Sequence, residues 1–181
     1  MNLYESQLYL VAPWAKTVMS ELKTINNGSF LDPRTGWVRR DIKQSESIFE
    51  HTCKLALAAY FLFGTKDAID QCIIHDAPEI FTGDEIPWEI SASDKFSNEQ
   101  RAIKNLSQIL TDGPYWEHQF NKFESKKGFS EYLTQLDKIC PAIQALNYNK
   151  NPENRNKNLE EFYPYALSKL TSPNLMDILN Q

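Results

Sequence analysis

A histidine and an aspartate stand side by side at His75 and Asp76, at the end of an apolar run, and two further carboxylates, Glu79 and Asp84, follow closely. Such a cluster is costly to place beside a hydrophobic core unless a cation compensates its negative charge. Imidazole nitrogen and carboxylate oxygen are ligands that suit divalent zinc, manganese, iron or cobalt. The pattern therefore predicts a site for a divalent metal ion.

A second histidine, His51, falls inside a predicted helix. Ser47 and Glu50 have the spacing of a capping box, and Gly64 supplies a left-handed stop after Phe63. With about 100° between successive residues, one face of this helix carries His51 and four apolar residues, Ile48, Leu55, Ala58 and Leu62. His51 is therefore predicted to face the core, where a lone histidine is more often a hydrogen-bonded core residue than a metal ligand.

A shorter helix is predicted over Lys66 to Ile74, and its last turn carries the His75–Asp76 pair. Glu79 lies four residues after His75 and shares its face if the helix continues. Pro78 removes a backbone donor, so the helix either kinks there or a new one starts with Pro78 in its first turn. Both alternatives keep Glu79 near the pair.

Asp137 lies on the apolar stripe of the last long predicted helix, Phe129 to Tyr148, between Leu133 and Cys140. An aspartate on such a stripe needs a compensating partner. Pro141 is predicted to kink this helix or to restart it. Three separate helices thus each place a metal-competent side chain on an inward face.

The other segments complete an all-α chain. Further helices are predicted over residues 3–25 (kinked or split at Pro13), 94–110, 115–123 and 159–179, the last interrupted by Pro164 and Pro173. Residues 30–44 form a loop without periodicity that holds three arginines and a tryptophan. No segment alternates with a period of two for long enough to predict a strand.

The length of 181 residues is that of one domain with its own core, and we predict a single domain over residues 1–181. The net charge of −5 argues against a nucleic-acid partner, because phosphate backbones demand a basic face. The longest apolar run, Leu55 to Phe63, is too short to span a bilayer, and the first residues lack the layout of a signal peptide.

The three cysteines are odd in number and widely spaced, which favours a reduced, cytoplasmic protein over a disulfide framework. Cys72 lies three residues before His75, and Cys140 lies three after Asp137. Thiolates at these two positions would instead indicate a closed structural zinc site. We favour the interpretation of both as small core residues, because a zinc ion bound by thiolates would leave the carboxylates without a cation.

The order of these residues, histidine, then the histidine-aspartate pair, then aspartate, resembles the HD-domain metal-dependent phosphohydrolases. Two runs are similar to the 5'-deoxynucleotidase branch of that family: Pro33-Arg34-Thr35-Gly36-Trp37-Val38-x-Arg40 with Glu46-Ser47-Ile48-x-Glu50-His51, and His75-Asp76-Ala77-x-Glu79-x-x-x-Gly83-Asp84-x-x-Pro87. Leu136-Asp137-Lys138 also matches. The resemblance covers residues 30–148, whereas residues 1–29 and 149–181 carry little of it. Two departures are Pro78, where many members have a helix-favouring residue, and the Thr35-Gly36 spacer, which some bacterial members lack.

The resemblance implies a compact HD-domain helical bundle that binds one divalent cation, manganese, cobalt, zinc, iron or magnesium. The four implied ligands are His51, His75, Asp76 and Asp137. Glu79 would be catalytic, orienting the attacking water or protonating the leaving oxygen, and Asp76 would belong to the catalytic set as well as to the ligands.

The resemblance also implies substrate contacts. Arg34 would hold the phosphate through its bidentate guanidinium, with Arg39 and Arg40 as competing assignments. Trp37 would close against the sugar and disfavour a 2'-hydroxyl, and Asp84 would accept a hydrogen bond from the 3'-hydroxyl. His118 has no supporting pattern as a ligand.

These implications favour hydrolysis of deoxyribonucleoside 5'-monophosphates to deoxynucleoside and phosphate. One alternative is the same chemistry on another phosphate ester, such as a deoxynucleoside triphosphate or a signalling nucleotide. Another is a non-catalytic nucleotide-binding module that retains the metal. A homodimer is also implied, with the nucleotide as the small-molecule partner.

Overall fold

A computed structural model describes residues 31–86, 89–110, 112–155 and 157–180, and the regular elements in these ranges are helical. The only β feature found there is an isolated bridge between Pro33 and Ser47. The all-α prediction is therefore confirmed. The helix predicted over residues 3–25 lies outside the described residues.

Nine α-helices follow one another along the described chain. They are α1 (Thr35–Val38), α2 (Ile48–Phe63), α3 (Lys66–Ile74), α4 (Glu79–Thr82), α5 (Ala92–Ile109), α6 (Gly113–Glu124), α7 (Phe129–Asn149), α8 (Phe162–Lys169) and α9 (Pro173–Leu179). Two 3-10 turns, Pro152–Asn154 and Leu159–Glu161, join α7 to α8. No helix in these ranges combines the length and the apolar character that crossing a bilayer requires.

The ends of α2 are those that its sequence predicts. The Ser47 hydroxyl accepts the Glu50 amide at 3.1 Å, and the Glu50 carboxylate accepts the Ser47 amide at 2.7 Å, which completes the capping box. Gly64 ends the helix at φ 64°. His51 lies on the buried face as predicted, but Leu62 is 45% exposed and lies outside it.

The break after α3 follows the second of the two predicted alternatives. The α-helical geometry ends at Ile74, and the short α4 begins at Glu79 with Pro78 as its N-cap residue. Gly83, at φ 72°, ends α4 and turns the chain toward Asp84. The turn between α3 and α4 carries His75 and Asp76, so both follow directly from a packed helix.

Helix α5 begins two residues earlier than predicted, because Ser91 caps it by accepting the Asp94 amide at 3.1 Å.

The corner between α5 and α6 requires a glycine. After α5 the chain turns sharply into α6 at Gly113. A Cβ atom at that position would lie 1.7 Å from the backbone carbonyl oxygen of Ser107, so no other residue fits without moving the backbone.

Helix α7 runs through Pro141 as one element, so of the two predicted alternatives, a kink or a restart, the restart is wrong. A proline within a helix removes one hydrogen bond, here the bond that its amide would donate to the carbonyl of Asp137. Packing over the 21 residues of α7 outweighs that loss. Pro164 likewise does not interrupt α8, because it lies in the first turn, where the missing donor has no intrahelical partner. Pro173 does separate α9 from α8, as predicted.

Three clusters of buried apolar side chains join these helices. The first links α2, α3, α7, α8 and α9 through residues such as Leu55, Cys72, Leu133 and Ile139. The second packs α3 and α4 against α5 and α6 around Ile103 and Phe120. The third surrounds Trp37 at the C-terminal end of α7. Helices α2, α3 and α7 therefore have fixed relative positions, and these are the helices that carry or precede the predicted ligands.

Candidate active site

Two imidazoles and a carboxylate from three helical regions converge in the interior. The Nε2 atom of His51 lies 2.9 Å from Oδ1 of Asp137, and the Nε2 atom of His75 lies 3.6 Å from the same oxygen. One donor atom from each of the three residues fits within a mutual distance of 4.8 Å, and all three residues are buried. The structure thus brings together three of the four predicted ligands around one point.

Asp76, the fourth predicted ligand, borders both imidazoles. Its Oδ1 atom lies 3.0 Å from Nε2 of His75, and its Oδ2 atom lies 3.7 Å from Nε2 of His51. It lies outside the group of three residues whose donor atoms are all within 4.8 Å of one another. Its Oδ2 is nevertheless buried and makes no hydrogen bond to the described residues. Asp76 is therefore adjacent to the cluster and has an oxygen available for a cation.

The ring of His75 is oriented by the helix that precedes it. Its Nδ1 atom lies 2.7 Å from the backbone carbonyl oxygen of Cys72, which can only accept a hydrogen bond, so Nδ1 carries the proton. The lone pair of the neutral ring is then on Nε2, which faces the carboxylates. A histidine bonded in this way to a backbone carbonyl is typical of metal ligands.

The electrostatic environment of the cluster is strongly negative. Burial by itself would lower the pKa of His75, but the carboxylates of Asp76 and Asp137 outweigh it and raise that pKa well above its usual value. Burial would raise the pKa of Asp137, but Lys138 and the two histidines hold it well below the ordinary range. For His51, burial and then the charge of Arg34 lower the pKa. The same negative charge that favours a proton on His75 would favour a divalent cation in its place, and several donor atoms here make no hydrogen bond to the described residues.

The cysteines do not take part in this cluster. Cys72 is completely buried among apolar side chains, and Cys140 packs against the same core. Burial and then the carboxylate of Asp137 raise the pKa of the Cys140 thiol to about 12. The metal-competent group found among the described residues contains no cysteine. The alternative of a thiolate zinc site therefore has no support in the geometry.

Arg34 approaches the cluster from the residue before α1. Its Nη2 atom lies 3.9 Å from Oδ1 of Asp84, and its Nη1 atom is buried without a hydrogen bond to the described residues. Burial would lower the pKa of Arg34, but Asp76 and Asp84 raise it, so the guanidinium keeps its charge. Arg34 therefore has donors to offer to an anion.

Asp84 anchors the same segment. Its Oδ2 atom accepts the backbone amide of Thr35 at 2.5 Å, which holds the start of α1 against the turn that follows α4. The Arg34 and Asp84 side chains consequently lie together, although they are fifty residues apart in the sequence.

Glu79 is buried with one oxygen held and the other without a partner. Glu79 is 3% exposed, and its Oε1 atom lies 3.1 Å from Nζ of Lys95 on α5. Oε2 is buried and makes no hydrogen bond to the described residues. Burial and then the charge of Asp76 raise the pKa of Glu79 well above its usual value. Lys95 was not identified from the sequence, where its spacing of four from Glu99 is that of an ordinary ion pair on a solvated helix face.

The remaining predicted substrate contacts are engaged in contacts within the protein. Trp37 is 2% exposed, donates its indole N–H to Oε1 of Glu46 at 3.0 Å, and stacks on Phe162 at 4.4 Å between ring centroids. Arg40 donates to the carbonyl of Gly36 at 2.7 Å and forms an ion pair with Glu161.

Arg39 and His118 lie elsewhere. Arg39 pairs with Glu89 and is half-exposed, and it does not line the cavity described below, whereas Arg34 and Arg40 do. His118 is exposed on α6 and is not part of the metal-competent group. Of the three arginines, Arg34 is therefore the one beside the cluster.

A cavity of about 760 Å³ opens onto the cluster. Asp76, Glu79 and Asp137 line it together with Arg34, and aromatic side chains of α8 form part of its wall. Pockets for small ligands commonly enclose about 300–1,000 Å³. The cavity therefore has room for a nucleotide beside the buried donors.

The buried nitrogen and oxygen donors form a site that can bind a metal ion, and comparison with known proteins gives the family, that of metal-dependent hydrolases. A family model described as the HD domain (HD_3) matches residues 31–175, which extends past residue 148, where the motif resemblance ends. The chain therefore belongs to the HD-domain family. The resemblance and the predicted fold are confirmed.

Individual relatives agree with this assignment. The chain is 30% identical over 159 residues to the 5'-deoxynucleotidase HDDC2 of Xenopus laevis, covering 82% of this chain and 77% of the relative. It is 26% identical over 160 residues to the human protein of the same name, covering 82% and 76%. Among solved structures, PH0347 from Pyrococcus horikoshii OT3 matches with a TM-score of 0.71 at 21% identity, covering 92% of this chain and 96% of that one. A predicted metal-dependent phosphohydrolase from Magnetospirillum magnetotacticum MS-1 shares the fold with a TM-score of 0.64 at 18% identity, over 92% and 91%.

Proposed function

We propose that this protein hydrolyses deoxyribonucleoside 5'-monophosphates to deoxynucleoside and orthophosphate. The observation that carries the proposal is that Arg34, with unused donors, lines the same cavity as the cluster of His75, Asp76 and Asp137. The relatives named 5'-deoxynucleotidase, which match over about four-fifths of this chain, support the choice of substrate. We treat residues 1–181 as one HD domain.

His51, His75, Asp76 and Asp137 are the proposed ligands of one divalent cation, manganese, cobalt, zinc, iron or magnesium. When bound, such an ion acidifies a coordinated water and neutralises charge on phosphoryl oxygens. The Nδ1–H bond of His75 to the carbonyl of Cys72 supports this assignment, because it presents Nε2 as an acceptor.

Glu79 is the proposed proton-handling residue. It lines the cavity, and its Oε2 is free of other bonds to the described residues. From this position it orients the attacking water or protonates the leaving 5'-oxygen. Arg34 binds the phosphate oxygens through two parallel N–H groups.

The sugar contacts follow from which atoms are already engaged. Asp84 uses Oδ2 for the Thr35 amide, which leaves Oδ1 to accept the 3'-hydroxyl. The indole N–H of Trp37 is already bonded to Glu46, so its ring meets the sugar by contact alone and limits the space for a 2'-hydroxyl. Arg40 also lines the cavity.

A second candidate substrate is a phosphate ester with a longer phosphate chain, such as a deoxynucleoside triphosphate or a signalling nucleotide. Besides Arg34, and Lys95 with its contact to Glu79, three further cations, Arg40, Lys126 and Lys138, line the cavity and favour this alternative. The released product separates the two, because a triphosphate substrate gives pyrophosphate or triphosphate in place of orthophosphate.

We also propose a cytoplasmic homodimer. All three cysteines are free, which suits a reducing compartment. Leu57, Tyr60 and Phe61 on α2 are large apolar side chains that are more than half-exposed, and such a patch favours an interface. The molar mass in solution, measured by light scattering, tests the dimer.

The experiment that tests the function is a phosphate-release assay on purified protein. The protein is loaded separately with manganese, cobalt, zinc and magnesium and incubated with deoxynucleoside and ribonucleoside 5'-monophosphates and with deoxynucleoside triphosphates. Orthophosphate released from the deoxynucleoside monophosphates in preference to ribonucleotides is the expected result. Tight binding of these monophosphates by calorimetry without turnover under any metal would instead identify a non-catalytic module.

A further inference from the structure

Lys95 is bonded on three sides by groups from different parts of the chain. Its Nζ atom lies 3.1 Å from Oε1 of Glu79, 3.0 Å from Oε1 of Glu99 and 3.1 Å from the backbone carbonyl oxygen of Glu85. An ammonium group has three N–H donors, so these three acceptors account for all of them. The Lys95 ammonium is therefore fixed in position rather than free to follow a ligand.

Glu79 depends on this ammonium for its charge balance. The carboxylate is buried, and the negative charges of Asp76 and Asp84 both act on it. A buried carboxylate in such surroundings needs a compensating cation. Lys95 is the cation in hydrogen-bond contact with it among the described residues, because Arg34 acts on Glu79 without a direct bond.

The contact leaves one oxygen of Glu79 for chemistry. Lys95 engages Oε1, whereas Oε2 is buried without a hydrogen bond to the described residues. A carboxylate held at one oxygen presents the other in a fixed direction. A displacement of about 1 Å at such a group can cost about a hundredfold in rate.

We propose that Lys95 is a positioning residue for Glu79, with Glu99 and the Glu85 carbonyl fixing the ammonium so that Oε2 of Glu79 is directed at the reacting centre. This inference rests on the proposed function, in which Glu79 handles the proton. Lys95 also lines the cavity, but its ammonium is held by two hydrogen bonds and an ion pair within the protein, so it acts through Glu79 and not by binding the phosphate.

The kinetic test compares Lys95→Met and Lys95→Arg in the manganese-loaded protein, with deoxynucleoside 5'-monophosphate as substrate. Lys104→Met is the matched control, because Lys104 is exposed on the same helix. We expect Lys95→Met to lower kcat by roughly tenfold to a hundredfold with KM changed by no more than about twofold. Lys95→Arg should recover part of the loss, and Lys104→Met should behave as the wild type.

The same substitution is then made in a Glu79→Gln background. If Lys95 acts through Glu79, Lys95→Met causes no further loss of kcat there. An equal loss in both backgrounds would overturn the proposal. So would a Lys95→Met variant whose KM rises while kcat is unchanged, because that pattern belongs to a direct phosphate contact.

A measurement independent of activity separates this inference from the proposed function. Urea midpoints of the metal-free wild type, Lys95→Met, Glu79→Gln and the double variant form a double-mutant cycle. The double variant should lose less than the sum of the two single shifts, because Lys95→Met leaves Glu79 without the cation bonded to it and Glu79→Gln leaves Lys95 with Glu99 alone, whereas the double variant removes both charges of the pair. Additive shifts would refute the contact even if the protein hydrolyses monophosphates. Coupled shifts with no monophosphate hydrolysis would refute the proposed function alone.

Discussion

The Nε2 atom of His51 and the Oδ1 atom of Asp137 lie 2.9 Å apart, although 86 residues separate them in the sequence. His51 belongs to α2 and Asp137 to α7, and four helices, α3 to α6, lie between them along the chain. A cation bound between the two residues therefore links helices that are distant in the sequence. Because the donors of such a site are distant in the unfolded chain, binding of the ion is coupled to folding.

Asp137→Ala should therefore lose both metal and stability. We expect the purified variant to hold far less than the roughly one ion per chain expected of the wild type, and to melt at a lower temperature. Elemental analysis and thermal unfolding with and without a chelator measure the two effects. Asp177→Ala, an exposed aspartate on α9, is the control. Full metal content in Asp137→Ala would remove Asp137 from the ligand set.

Glu79→Gln should separate binding from turnover. The amide is nearly the same size as the carboxylate but cannot accept a proton, so kcat should fall by about 10²- to 10⁴-fold. Metal content and the dissociation constant for a deoxynucleoside monophosphate, measured by elemental analysis and calorimetry, should stay close to those of the wild type. Near-normal rates in this variant would show that another group handles the proton.

Arg34→Met and Arg39→Met should differ sharply in their effect on KM. Arg34 has unused donors beside the cluster, and the loss of a charge-assisted hydrogen bond costs about 1.5–3 kcal/mol, so KM should rise by roughly tenfold to a hundredfold. Arg39 pairs with Glu89 and does not line the cavity, so its replacement should leave KM unchanged. A larger effect at position 39 would contradict the assignment of the phosphate-binding arginine.

Asp67 gives a prediction for stability against pH. Burial opposes its ionisation, but hydrogen bonds from Lys122 and Gln119 on α6 outweigh this and lower the pKa of Asp67 below its usual 3.8. The stabilisation from these bonds is fully present above pH 3.8 and is lost as the pH falls through the lower, folded pKa. Asp67 is part-exposed, so the effect should stay within about 1 kcal/mol.

Urea midpoints of the wild type and Asp67→Asn in the presence of a chelator measure this effect without interference from metal loss. The two proteins should differ near pH 6, and the difference should shrink as the pH falls below 3.8. A difference that stays constant down to the acid limit would mean that the charge of Asp67 contributes nothing.

The features that were correctly predicted from the sequence depend on neighbouring residues. The bounds of α2 follow from Ser47, Glu50 and Gly64, all of which act within a turn of the helix ends. The inward position of His51 follows from helical periodicity within α2, and that of Asp137 from the same reasoning in α7. Predicting that the two meet required the family resemblance, because nothing local relates the packing of α2 to that of α7.

The features that were missed or mispredicted depend on tertiary packing. Lys95 has the spacing of a surface ion pair with Glu99, and its contact with Glu79 exists only because α4 packs against α5. The predicted restart at Pro141 was wrong because helix propensity at one residue is weaker than the packing of a whole helix. The environment of Trp37 depends on Phe162, which no local pattern relates to it.

Gly113 lies at the corner where α5 turns into α6, and the Ser107 carbonyl leaves no room there for a side chain. Any replacement has to push these two helices apart, and α5 also carries Lys95. In a library with all amino acids at position 113, a screen for folded protein alone, with no substrate present, should therefore retain only glycine. A position that touches neither ion nor nucleotide would thus accept no substitution.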